Sequence, residues 1–128
     1  MSFTIKVNGL AETIKYLNNL NISGIPQTVK KSFREASGLV LRTMKSNTPV
    51  DTGYLKAHED ITIVSDSRVL IGPDSTLEPH YAPDVEYGHH TVSGSWVPGQ
   101  HFIENTLVTT RNAVLNLFIS NFRNLLHG

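Results

Sequence analysis

The chain has 128 residues, 39% hydrophobic and 17% charged, with 11 Lys+Arg balanced by 11 Asp+Glu, six His and no Cys. That length suits one domain over 1–128, able to bury roughly two thirds of its unfolded surface without a disulfide or structural metal. Having no Cys excludes thiol catalysis, Cys-ligated zinc and iron–sulfur chemistry and fits a reducing compartment, while the neutral total opposes a dedicated nucleic-acid binder.

The N-terminal MSFTIKVNGL has no basic region leading into an apolar run, so no signal peptide is expected. No stretch of about 18 apolar residues suggests a membrane span. Residues 3–7 alternate apolar and polar and predict a short strand, broken by Asn8-Gly9. Leu10, Ile14, Leu17 and Leu20 share one helical face and predict a helix over 10–20. A longer helix is expected from about Pro26 to Ser46, with Val29, Phe33, Ala36, Val40 and Thr43 as its apolar stripe. Asn47-Thr48-Pro49 ends it, because the residue before proline avoids the helical region.

Pro49, Val50, Asp51, Thr52 and Gly53 read as a turn, in which Asp and Thr bond nearby backbone and Gly tolerates positive φ. Ile61 and Ile63, then Val69 and Ile71 beyond Asp66-Ser67, predict an antiparallel hairpin at 60–72. Residues 73–80 read as a loop, and 81–87 as a further strand that Pro83 confines to an edge or a strand start. GHHTVSGSWVPGQ at 88–100 reads as a long loop, of the kind that is functional or disordered. From about His101 the last helix begins, its stripe formed by Ile103, Leu107, Val114, Phe118, Phe122 and Leu125. The expected fold is α+β: a small antiparallel sheet packed against two long helices, with a short N-terminal helix.

Charge is unevenly spread. Residues 1–50 carry seven basic and two acidic side chains, residues 51–104 two basic and nine acidic. Lys30, Lys31, Arg34, Arg42 and Lys45 lie off the apolar stripe of the second helix, giving it a basic side. Opposite-sign regions suit a protein that meets copies of itself through complementary faces.

Candidate chemistry is sparse. His80, His89, His90 and His101, with Glu86 and Glu104, crowd one region, and zinc accepts three such ligands plus water. No HExxH or HxH spacing organises them. Asp51, Asp84 and Glu86 are the carboxylates that would supply an acid and a base for glycoside hydrolysis, yet nothing in the sequence pairs them. Asp51 reads as a turn former and Glu86 as a partner for backbone amides or a cation. No GxSxG elbow or phosphate-binding glycine motif occurs. A small metal-binding or hydrolytic domain built on 80–104 therefore stands as the alternative. A toxin-system component or plasmid regulator, with salt-dependent DNA binding, is a second one.

Four segments in order carry a resemblance. Pro49-Val50-Asp51-Thr52-Gly53 followed by Tyr54-Leu55, Ile71-Gly72-Pro73, Tyr81-Ala82-Pro83-Asp84-Val85-Glu86-Tyr87-Gly88, and Gln100 to Leu107 resemble PVDTG-x-L, V-G-P, Y-A-x-x-V-E-F-G and x-P-F-L-x-P-A-L. These are signatures of small neck and tail-completion proteins, also called head–tail joining proteins, of long-tailed bacteriophages. The chain departs from them at His89, where the family usually has Thr, and at His101 and Asn105-Thr106, where it has Pro and Pro-Ala.

The resemblance implies a structural virion protein without catalytic residues or cofactors, assembled in the host bacterial cytoplasm. It implies a hexameric or dodecameric ring that meets other neck and tail-tube proteins, touches no membrane, and reads no DNA sequence although its channel would pass DNA. The expected contact sets Lys30, Lys31, Arg34 and Lys45 of one copy against Asp74, Glu78, Asp84 and Glu86 of the next. Trp96 is expected to anchor a partner or to cap the domain's own core. Glu86, if buried near an interface, is expected to need a cation such as Arg42 or Lys45.

Overall fold

The computed structural model describes residues 3–49, 54–65, 68–73 and 81–127. In chain order the elements are β1 (Phe3–Lys6), α1 (Leu10–Asn19), α2 (Ile25–Asn47), α3 (Tyr54–Ala57), β2 (Glu59–Ser65), β3 (Arg68–Pro73), α4 (Tyr81–Tyr87), β4 (Gly88–His90), β5 (Trp96–Pro98) and α5 (Phe102–His127). The class is α+β, as the sequence patterning predicts. Most of the turn at 49–53, the Asp66-Ser67 turn and the 74–80 loop, with Asp74, Glu78 and His80, lie outside the described residues.

The predicted hairpin forms and becomes half of the main sheet. β3 is its central strand, antiparallel to β1 on one side and to β2 on the other. Ile5 pairs with Val69 and Ile61 with Ile71, so one sheet face is apolar and faces the helices. A register shift between Ile63 and Ser65 interrupts the β2 ladder near its end.

Helix α2 spans the molecule between that sheet and α5. Val29, Phe33, Ala36, Val40 and Met44 give it a buried stripe. Met44, not Thr43, closes the stripe; the Thr43 hydroxyl donates to the Leu39 carbonyl at 2.8 Å. On the α5 side Phe33 meets Phe118 edge to face, with ring centroids 5.0 Å apart.

The α5 face that packs on the core holds Ile103, Val114, Phe118, Phe122 and Leu125 of the predicted stripe. It buries Phe102, Thr106, Thr110, Phe118 and Asn121, while Leu107 is exposed. Thr106 and Thr110 satisfy their hydroxyls on the Phe102 and Thr106 carbonyls, both at 2.7 Å, which lets them be buried. Asn121 Nδ2 donates to Ser32 Oγ and to Glu35 Oε1, both at 3.0 Å, and Asn47 Nδ2 donates to Thr106 Oγ1 at 3.2 Å. Among the described residues no helix is long and apolar enough to cross a membrane.

Two expectations are corrected. Residues 81–87 form a helix, because Pro83 sits in its first turn, where an N–H is not needed, and Asp84 complements the helix N-terminus. Residues 88–98 are not an irregular loop but a two-stranded ribbon. It pairs Gly88 with Pro98, His89 with Val97 and His90 with Trp96.

Candidate functional site

The best-organised polar site is the junction where α4 meets the start of α5. The first N–H groups of any α-helix lack intrahelical partners. Here Glu86, 3% exposed, reaches from α4 and accepts the Ile103 N–H at 2.8 Å on Oε2 and the Glu104 N–H at 3.0 Å on Oε1. Its own carbonyl accepts the His101 N–H at 3.1 Å, and the Val85 carbonyl accepts the Gln100 N–H at 2.7 Å. One residue thus ties the segment before α5 to α4 with both its backbone and its side chain. The expected partnership with Arg42 or Lys45 does not arise: the amides and the positive end of α5 take the cation's place. Burial also removes Glu86 from the acidic surface proposed to meet a neighbouring copy.

The ribbon packs back onto the same junction. Gly88 has φ +90°, and a Cβ there would come within 2.6 Å of Trp96 Cζ2 and of the Val97 carbonyl oxygen. A Cβ on Gly99 would strike the Glu86 and Tyr87 backbone. Trp96 lies over Gly88 and beside His90, ring centroids 5.0 Å apart at 63°, and is 55% exposed. Of its two expected roles, the core cap does not hold, since Trp96 covers the ribbon and leaves half its surface to solvent.

Of the histidines and acids expected to gather around a metal, the fold brings Glu86, His101 and Glu104 together, with ligand atoms within 4.8 Å of one another. His101 Nδ1 lies 3.4 Å from Glu104 Oε2. Both Glu86 oxygens already accept an amide, and the helix end carries positive potential that opposes a cation. His89 and His90 fall on the ribbon instead, and Asp84 is half-buried in the first turn of α4.

The basic side chains border a second feature. An open apolar groove of about 960 Å³ runs between α1, α2 and the β2–β3 face, lined by Leu10, Ile14, Phe33, Ile61, Ile63 and Val69. Lys30 and Arg34 edge it from α2. Lys31 is also exposed, whereas Lys45 is half-buried beside Glu59.

Glu59 is a site the sequence reading missed. It is 2% exposed and sits at the start of β2, against the last turn of α2. Thr48 Oγ1 lies 2.7 Å from its Oε1 and 2.9 Å from its Oε2. Burial pushes the carboxyl up to about 7, against the Thr48 hydrogen bond and the Lys45 and Lys56 charges, which favour ionisation. A charged residue opening a strand gives no periodic signal, so only its tertiary surroundings reveal it.

Comparison of the chain with protein-family models, with curated proteins and with solved structures gave no match.

Proposed function

We propose that this chain is a structural virion protein of a tailed bacteriophage, a neck or tail-completion protein that joins head and tail as a ring-forming interface. One observation carries the reading. The segments that resemble the family's Y-A-x-x-V-E-F-G and its helix-opening x-P-F-L-x-P-A-L are separate in sequence, yet they meet through Glu86 and the amides of Ile103 and Glu104. The resemblance thus has a physical reason, in which one segment caps the helix that the other begins. The α+β fold is compatible with it, and so is a groove bordered by Lys30 and Arg34, where an acidic and apolar surface of a neighbouring copy would fit. Such a protein would work by geometry, without catalysis or cofactor.

The test is electron microscopy of particles made by a phage lacking this gene. Full heads beside unjoined tails are expected, and restoring the gene should restore joined particles. Intact infectious virions without the protein would overturn the proposal.

The second reading, a small metal-binding or hydrolytic domain in 80–104, rests on the meeting of Glu86, His101 and Glu104. Stoichiometric zinc that raises the melting temperature of the wild type, but not of His101→Ala, would favour it. No thermal shift with zinc would remove it.

A further inference from the structure

We propose that the free edge of β2 is a self-association surface, on which β2 of a second copy adds antiparallel about Thr62 and joins the two three-stranded sheets into one of six strands. Such a contact is isologous and stops at two copies. It is therefore not the ring contact of the function proposed above, and it holds whether or not that function does.

Because β3 lies between β1 and β2, both outer strands end the sheet, and among the described residues no strand lies beyond either. An edge strand presents unpaired N–H and C=O groups to any strand that fits them. β1 is only four residues long, and its core-facing Ile5 is already buried. β2 runs for seven residues without the Pro or Lys that commonly blunts an edge. On its helix-facing side Ile61 is half-buried and Ile63 is 78% exposed, which marks where the helices stop covering the sheet.

The Ile61 N–H donates to Asp60 Oδ1 at 2.8 Å, a side-chain acceptor standing where an added strand would offer a carbonyl. In the register centred on Thr62, Ile61 pairs with Ile63 of the second copy, and Ile63 with its Ile61. The exposed Ile63 then gains an apolar neighbour on the same face, and the Ile63 carbonyl of the second copy replaces Asp60 on the Ile61 N–H.

Charge selects the same register. Lys6 on β1 and Arg68 on β3 stand directly opposite each other, both exposed, a like-charge pair that weakens the ladder. Neither has an ion-pair partner among the described residues. Both lie on the sheet face opposite Ile5 and Val69, and Asp60, which alternates with Ile61, lies on that face too. Pairing about Thr62 carries Asp60 of the second copy to the end of β2 where Ser65 pairs with Arg68. Arg68 is two strands away there, about 10 Å of sheet that an Arg and an Asp side chain span together. Released from the Ile61 N–H, Asp60 is free to take that partner, and the two-fold symmetry forms the ion pair twice.

The register shift after Ile63 confines the regular ladder to a short stretch. The interface is accordingly small and the dimer weak, with a dissociation constant on the order of 0.1 mM.

Sedimentation equilibrium of the purified protein, up to about 1 mM, reads the contact. A monomer–dimer equilibrium is expected. Ile63→Lys, at an exposed position that leaves the monomer intact, should abolish it. Asp60→Arg and Arg68→Asp should each weaken the dimer on the order of tenfold. An equimolar mixture of those two variants should recover it, since each copy then supplies the charge that the other lacks. A protein that remains monomeric at about 1 mM would overturn the proposal. So would a dimer that Ile63→Lys leaves intact, or one that the mixture fails to recover.

Discussion

At Glu86 a buried carboxyl is held with no Lys or Arg partner among the described residues, and the cost of burying it is offset by two amide donors and the helix end they belong to. Removing it leaves the Ile103 and Glu104 N–H groups without their partner at a closed junction. Glu86→Ala should therefore destabilise the fold by about 2–3 kcal/mol, at the upper end for loss of a helix cap with buried donors. Glu86→Gln keeps one acceptor oxygen and should recover part of that loss. Urea unfolding of the two variants measures the difference. A wild-type midpoint for Glu86→Ala would show that solvent satisfies those amides and that the junction is looser than its distances imply. Half of this residue's role is legible in the sequence, where an acid at this position can be met by amides or by a cation. The location of the amides is not legible, because they lie 17 and 18 positions away and come into reach only once α4, the ribbon and α5 are in place.

Elements with a sustained period were legible in the sequence, and short ones were not. Helix α1, helix α2 and the β2–β3 hairpin announce themselves because their apolar residues recur at 3.6 or 2 positions over a long run. α4 spans only seven residues, with a Pro in its third position, so strand and helix patterns were hard to separate. On α5 the apolar stripe was legible, since Ile103, Val114, Phe118, Phe122 and Leu125 pack on the core, and the polar part of the buried face was not. Thr106, Thr110 and Asn121 look polar in sequence, yet their hydrogen bonds let them enter the interface with α2, where Ser32 receives Asn121. This polar seam sets how the two long helices align. Asn121→Ala should cost about 1–2 kcal/mol by stripping Ser32 Oγ and Glu35 Oε1 of a donor. Asn121→Leu, which improves the hydropathy of α5, should be no more stable than the alanine variant, because it places an apolar group against the same two oxygens. Both are read by thermal unfolding, and a leucine variant more stable than wild type would show that packing outweighs the hydrogen bonds here.

On the whole molecule, two uncovered apolar surfaces are candidates for the contact that the proposed function requires. One is the groove edged by Lys30 and Arg34, where Ile63 is 78% exposed at the rim. The other is the outer side of α5, where Val108, Leu115, Ile119 and Leu126 fall on one stripe turned away from α2. If copies form the proposed ring, the charge distribution favours the groove as the contact, since its cations would meet the acidic part of a neighbouring copy and no acid follows Glu104 in α5. Lys30→Glu combined with Ile63→Asp alters only exposed side chains, so the monomer should keep its stability within about 0.5 kcal/mol. Recovery of joined particles on complementing a gene-deleted phage should nevertheless fall sharply, and it should fall less in high-salt assembly of the wild type than in the variant, because salt screens the charges but not the apolar contact. Leu115→Asp is the control for the other face. Normal joining with the groove variant and failure with Leu115→Asp would move the contact to α5. Failure of both would mean that each copy uses the groove for one neighbour and the helix for another, which is what a head-to-tail ring requires of two unlike surfaces.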